Sequence, residues 1–232
     1  MRIKDRKKFL SSCIFILMCM ILILSYDGKY NKNFAKENYN KILTLSNISL
    51  KNKKVVLDPG HGGMDKGTSF QDLYEKDINL KIAHYTKEYL ESHGIQVFMT
   101  REEDKFLYLR EISNYSNSIN PDIFISIHVN SNKDSSYNGI ITYYYDPEEF
   151  QKDERIELAK TIQKDVSKGE AWRDGGIRRQ NIAILRWSDV PCALVECGFI
   201  TNEEDRKRLR DDKVLKKTGV NIAKGIINYL KE

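Results

Sequence analysis

From Lys54 to Leu230 the chain alternates short apolar runs with stretches whose apolar residues recur every three to four positions. A short aliphatic run suits a strand buried on both faces, and the longer period suits a helix with one buried face. The strand runs are Lys54–Leu57, Ile95–Met99, Asp122–Ile127, Ile140–Tyr145, Asn181–Leu185 and Cys192–Val195. The first helical run is Asp77–Ser92, with Ile78, Ile82, Tyr85 and Tyr89 on one stripe and Gly94 as its stop. Asp104–Ile119 follows, with Leu109, Ile112 and Tyr115 turned inward, and then Glu154–Ser167 through Leu158, Ile162 and Val166. Thr201-x-x-Glu204 reads as a capping box opening a helix to about Arg210, and Val214–Leu230 closes the chain. Strands alternating with helices predict one α/β domain over residues 54–232. Its expected core is a mostly parallel, twisted central sheet of about six strands, flanked by helices on both faces.

The first 53 residues have a different character. Residues 2–8 carry a net +4 and Phe9–Leu24 is almost wholly apolar, the pattern of a secretory segment. We read 1–8 as a cytoplasmic basic region, 9–25 as a signal-anchor helix or signal peptide, and 26–53 as a linker or stalk. Positive-inside orientation then puts the domain outside the cytoplasm, membrane-anchored or secreted. Residues 1–54 hold a net +9 and residues 55–232 a net −4, so the basic character belongs to the arm. A slightly acidic body gives no support to a nucleic-acid partner. Cys192 and Cys197 lie five apart on one expected strand, beyond disulfide reach.

In open α/β sheets, ligands bind beyond the carboxyl ends of the strands. Asp58-Pro59-Gly60-His61-Gly62-Gly63 follows the first strand, and Thr100-Arg101 the second. His128-Val129-Asn130-Ser131 and Glu196-Cys197-Gly198 follow two others. Two imidazoles, a guanidinium and a carboxylate therefore converge on one edge. Paired histidines at strand ends favour a shared metal, and a catalytic zinc takes three protein ligands and keeps one position open. The third ligand is expected to be a carboxylate. Glu75, fourteen residues after His61, and Glu196 both qualify, with Asp58, Asp65, Asp72 and Asp77 as competitors. Spacing does not choose between Glu75 and Glu196 for the roles of ligand and general base. His84 and His93, on or at the end of the first helix, read as structural, and Tyr143–Tyr145 as strand packing. Arg178-Arg179 either meets an acidic group of the substrate or is solvated.

Taken together, Leu57–Gly63, Thr100-Arg101 with Asp104 and Arg110, Ser126–Ser131 and Leu194–Asn202 resemble the zinc-dependent N-acetylmuramoyl-L-alanine amidases of the third amidase family. The resemblance covers residues 54–232. It implies one zinc ion per chain held by His61, Glu75 and His128, with Glu196 as the catalytic carboxylate. It implies hydrolysis of the amide between N-acetylmuramic acid and L-alanine in peptidoglycan. Arg101, Asn130 and Arg178 are the candidate substrate-binding residues. A short member with an N-terminal anchor is similar to the germination-specific amidases of spore formers, which act on cortex peptidoglycan in the step leading to muramic-δ-lactam. That likeness implies a sporulation and germination role, between the spore membranes or at the outer face of the cell membrane. The expected partners are peptidoglycan, the membrane through the N-terminal segment, and an activator protein as a further candidate. The alternatives are a zinc peptidase acting on stem peptides and a non-catalytic peptidoglycan-binding relative. A metal-free glycosidase using Glu75 and Glu196 would leave His61 and His128 unexplained.

Overall fold

Lys54–Pro59 (β1) is aliphatic on both faces, and such a strand is stable only at the centre of a covered sheet. In the computed structural model, which describes residues 50–168 and 172–231, β1 lies between two parallel neighbours. The chain continues through a small hairpin, Ser69–Phe70 (β2) and Leu73–Tyr74 (β3), into the helix Glu75–Ser92 (α1). Then come Gln96–Met99 (β4), Leu109–Ile119 (α2), Ile123–Asn130 (β5), Ile140–Tyr144 (β6) and Lys152–Val166 (α3). The last elements are Asp174–Arg179 (β7), Ala183–Arg186 (α4), Cys192–Phe199 (β8), Glu203–Leu209 (α5) and Asp212–Leu230 (α6).

The six-stranded sheet runs in the order β4-β1-β5-β8-β6-β7. Strands β4, β1, β5 and β8 are parallel, β6 is antiparallel to β8, and β7 is parallel to β6. Leu57, Ile125, Ile127 and Val195 pack on one face with Ile82 of α1, Leu158 of α3 and Ile222 of α6. Val56, Phe124 and Leu194 pack on the other face with Ile112 of α2 and Leu185 of α4. Helices thus cover both faces, as the alternating pattern requires. On α6, a side chain at Gly219 would strike the backbone of α1 at 2.7 Å, and one at Gly225 the backbone of α3 at 2.6 Å. The two glycines let the three helices of that face pack closely.

Four expectations are corrected. The strand expected at Asn181–Leu185 is a single helical turn, Ala183–Arg186, and the strand is Asp174–Arg179. Its sequence, DGGIRR, lacks an apolar run because β7 is an exposed edge held by β6 alone. The helix expected from Asp104 starts at Leu109, because Asp104 is engaged by the backbone of Gly63 and the ammonium of Lys76. Leu109 and Tyr115 are exposed, and α2 buries Ile112, Ser113 and Ser116 instead. The cap of α5 is Asn202, whose Oδ1 accepts from the Asp205 N–H at 3.0 Å; the Thr201 hydroxyl accepts from Asn132. The expected N-terminal anchor and the stalk up to residue 49 lie outside the described residues, while Leu50 at the end of the stalk is buried in the core. Among the described residues, no helix is long and apolar enough to cross a membrane.

Candidate metal centre

The parallel strands end at one edge, where their loops are cross-tied. The Gly60 N–H bonds the Ile127 carbonyl at 3.0 Å, Thr100 that of Leu57 at 3.0 Å, and Ile200 that of Asn130 at 2.9 Å. Asp58, fully buried, accepts from the Thr100 and Ser126 hydroxyls at 2.7 Å each. It joins the ends of β4, β1 and β5 and is not a ligand.

His61 follows directly, in the left-handed region at φ 63°. That conformation disfavours a side chain and is held here by the tight turn between Gly62 and Asp65, whose N–H and carbonyl groups bond each other. The Asp65 carboxylate meets His61 Nδ1 at 2.8 Å, which fixes the ring and leaves Nε2 facing inward. Gly60 must be glycine for a different reason. A Cβ there would sit 2.1 Å from the His128 ring.

His61 Nε2 and His128 Nδ1 lie 3.3 Å and 3.0 Å from one atom, Glu75 Oε1. The two rings meet edge-on with centroids 5.0 Å apart. The three donor atoms lie within 4.8 Å of one another. Glu75 is buried at the first turn of α1 and its carboxylate is pinned by backbone. Oε1 accepts from the Val129 N–H at 3.0 Å and Oε2 from the Thr68 N–H at 2.8 Å. The Asn79 amide adds a longer bond to Oε1 and ties Gly60 at 3.1 Å. Burial alone would raise the Glu75 pKa, but the bonds and charge of both histidines hold it well below the usual carboxylate range. Burial would lower the His61 pKa, yet Glu75 and Asp65 together lift it to about 9. His128 is raised against its burial by the same carboxylate. A preorganised carboxylate with two imidazoles is the donor set of catalytic zinc in hydrolases, so the residues present fit that ion.

Glu196 lies in β8 directly opposite His128 in the register with β5, so the two side chains share a face. Its Oε2 is buried with no hydrogen-bond partner. Burial pushes its pKa up to about 7, against the nearby positive charge of His128. The geometry therefore separates the two glutamates. Glu75 sits between both histidines, and Glu196 stands beside the cluster with an oxygen unused. Cys192 and Cys197 are buried free thiols, and Cys197 packs on the opposite face from Glu196.

Other predicted residues are placed differently. The Arg101 guanidinium is buried and donates to the carbonyls of Pro59 (2.8 Å), Gly60 (3.1 Å), Lys76 (2.8 Å) and Glu103 (3.1 Å). It ties the His61 loop to α1 through these backbone carbonyls. Asn130 ends β5, with its side-chain oxygen bonded to the Ser131 N–H at 2.8 Å. Arg178 lies on β7, two strands from Glu196. Asp72 pairs with Arg210, and Asp77 is exposed. His84 and His93 bond backbone carbonyls away from the cluster. Asp65, weighed only as a ligand, is the orienting partner of His61; its four-residue spacing from the histidine was the available signal.

A mostly parallel α/β sheet carrying two histidines, a pinned glutamate and a second glutamate with an unused oxygen at its strand ends has the layout of a hydrolase with room for a metal. Residues 55–228 match the N-acetylmuramoyl-L-alanine amidase family, and the chain belongs to it. It is 37% identical over 171 residues to the probable cell wall amidase LytH of Staphylococcus epidermidis, covering 72% of this chain and 55% of that protein. It is 34% identical to the N-acetylmuramoyl-L-alanine amidase LytC of Bacillus subtilis, over 75% of this chain and 35% of LytC. The chain thus spans about half the length of the LytH relatives and about a third of LytC. The crystal structure of an N-acetylmuramoyl-L-alanine amidase from Clostridium difficile 630 superposes with a TM-score of 0.72 at 34% identity, over 78% of this chain and 97% of that one. The CwlD amidase from Clostridioides difficile, solved in complex with the GerS lipoprotein, gives 0.69 at 34% identity, over 77% and 98%.

Proposed function

We propose that this chain is a zinc-dependent peptidoglycan hydrolase that cleaves the amide between N-acetylmuramic acid and the L-alanine of the stem peptide. The observation that carries this is Glu196, whose buried Oε2 has no hydrogen-bond partner and which lies in register with His128 beside the His61–Glu75–His128 cluster. His61, Glu75 and His128 would hold the zinc, which when bound polarises the scissile carbonyl and lowers the pKa of water. Asp65 keeps His61 Nε2 turned to the cluster, and the backbone bonds to Glu75 hold its carboxylate still while the two histidines keep it ionised. Glu196, raised towards neutrality by burial, accepts the proton of the attacking water and delivers it to the departing L-alanine nitrogen.

Likeness to CwlD supports a role in spore-cortex peptidoglycan, and the lipoprotein in that complex supports a partner protein here. The basic and apolar N-terminal segment supports membrane attachment outside the cytoplasm. The test is the purified full chain on peptidoglycan with zinc and with chelator, with products identified by mass. Zinc-dependent release of intact peptides beginning with L-alanine is expected. The Glu196→Gln variant should retain zinc and lose turnover by about 10²- to 10⁴-fold. New ends within the stem peptide would instead make the chain a peptidase. Full activity of Glu196→Gln would remove that residue from the mechanism.

A further inference from the structure

Next to Glu196 the sheet opens into a pocket of about 330 Å³, lined by Tyr137, Ile141, Phe199, Arg173, Asp174 and Arg178 among others. Ile141 on β6 lies opposite Glu196 in the ladder, so the pocket adjoins the catalytic carboxylate. Tyr143 pairs with Arg178, and alternation puts Ile141, Tyr143, Glu196 and Arg178 on one face. The pocket walls are braced. The buried Asp205 carboxylate accepts from the Gly139 N–H at 2.7 Å and the Phe199 N–H at 3.0 Å, fixing the start of β6 against the end of β8.

The lining carries a net positive charge, two guanidiniums against the single carboxylate of Asp174. Arg173 and Arg178 are exposed, and neither guanidinium has an ion-pair or hydrogen-bond partner among the described residues. The Asp174 carboxylate is already engaged, by the Gln163 amide at 2.5 Å and the Gly176 N–H at 2.9 Å. Two free guanidiniums over an aromatic and aliphatic floor suit a carboxylate borne on a peptide.

We infer that this pocket binds a carboxylate of the stem peptide on the leaving side of the scissile amide, through Arg173 and Arg178. The inference rests on the amidase reading and adds the direction in which the substrate lies. Once the muramoyl lactyl carboxyl is tied up in the scissile amide, the remaining anionic groups of a muramoyl peptide lie in its peptide. The arginine side of the site is therefore the peptide side, and the glycan runs the other way. Arg178 is two strand spacings across from Glu196 and, in register with Tyr143 and Leu194, two residues along, roughly 12 Å between backbones, which the long arginine side chain shortens. A carboxylate two or three residues beyond the scissile amide lies about 7–10 Å along an extended chain.

The test uses the full-length protein, an Arg173→Gln/Arg178→Gln double variant, and a variant carrying Arg178→Lys alone. The substrates are muramoyl peptides whose second residue carries either a free carboxylate or its amide. Affinity for the corresponding free peptides is measured by calorimetry. On the carboxylate substrate the double variant should raise KM about tenfold with kcat retained. Arg178→Lys, which keeps the charge, should recover part of that loss. On the amidated substrate the wild type and the double variant should converge. An equal loss on both substrates, or no loss on either, overturns the pocket assignment. If the wild type cleaves no muramoyl peptide, the amidase reading fails. The calorimetric difference between free peptide acid and amide, present in the wild type and lost in the double variant, still decides the pocket.

Discussion

Alanine at position 60 is expected to empty the metal centre while leaving the fold in place. The backbone at Gly60 is not left-handed, so alanine is conformationally acceptable there and only the added methyl group acts. That methyl carbon would lie 2.1 Å from Cε1, 2.2 Å from Nε2 and 2.6 Å from Nδ1 of His128. Non-bonded carbons settle at about 3.5 Å, so the ring must retreat by roughly 1.4 Å. It cannot turn in place, because all three of those ring atoms are struck. A ligand moved that far misses the few tenths of an ångström, about 0.2 Å, that a metal site tolerates. We expect zinc affinity to fall by about a hundredfold or more, with amidase activity following it. Overpacking should cost about 1–3 kcal/mol, a fall in Tm of roughly 2–10 °C for a domain of this size. Zinc is measured by competition with a chromophoric chelator and stability by thermal unfolding of the chelated protein. In a His128→Ala background the methyl group has room, so adding Gly60→Ala should then cost little further stability. A Gly60→Ala protein that binds zinc as tightly as the wild type would refute the clash. So would full additivity of the two substitutions.

Asp65→Asn should weaken zinc binding by about 10- to 100-fold without unfolding the domain, because it loosens the ring of His61. Unchanged affinity in the same chelator assay would make that contact incidental. In the metal-free protein His61 is raised to about 9, and a protonated imidazole cannot ligate, so zinc must displace a proton below that pH. Apparent affinity should climb as pH rises towards 9 and level off above it, with proton release seen by calorimetry in buffers of different ionisation enthalpy. A flat affinity from about pH 6 to about pH 9 would contradict this charge state. Arg155 is fully buried and donates to the carbonyls of Tyr145, Leu185, Ser188 and Val190. Arg155→Met takes that donor from the Tyr145 and Ser188 carbonyls, while Leu185 and Val190 keep the Cys192 thiol and the Ser188 hydroxyl, and should cost about 3 kcal/mol, measured by urea unfolding.

The strands that the sequence made legible are the ones covered on both faces. Val55-Val56-Leu57, Ile123-Phe124-Ile125 and Ala193–Val195 had to be apolar throughout, and that run is visible without any partner strand. β7 had no such requirement. As an edge strand with one neighbour it carries two glycines and two arginines, and its strand character comes wholly from pairing with β6. The helical turn at Ala183–Arg186 looked like a strand because Ile184 and Leu185 are both buried, a burial that a short turn and a strand share. At the site, chemistry was legible and geometry was not. His61, His128, Glu75 and Glu196 stood out by residue type and place. Which glutamate meets both histidines depends on α1 swinging its first turn back under β5, a contact between residues 53 and 54 positions apart.

Arg101 shows the same limit from the other side. A guanidinium after a strand end reads either as a brace for the site or as a clamp on a carboxylate, and here its donors are directed to four carbonyls that no sequence pattern marks. The arginines free for substrate lie across the site, on the part of the sheet where β6 and β7 reverse direction. Glu196 occupies the strand at that reversal, with the parallel strands and the His61–Glu75–His128 cluster on one flank and the arginine pocket on the other. A carboxylate there can serve the carbonyl side and the leaving nitrogen of one amide without moving its backbone. That position, more than its pKa, suits Glu196 to carry a proton from water to the departing peptide.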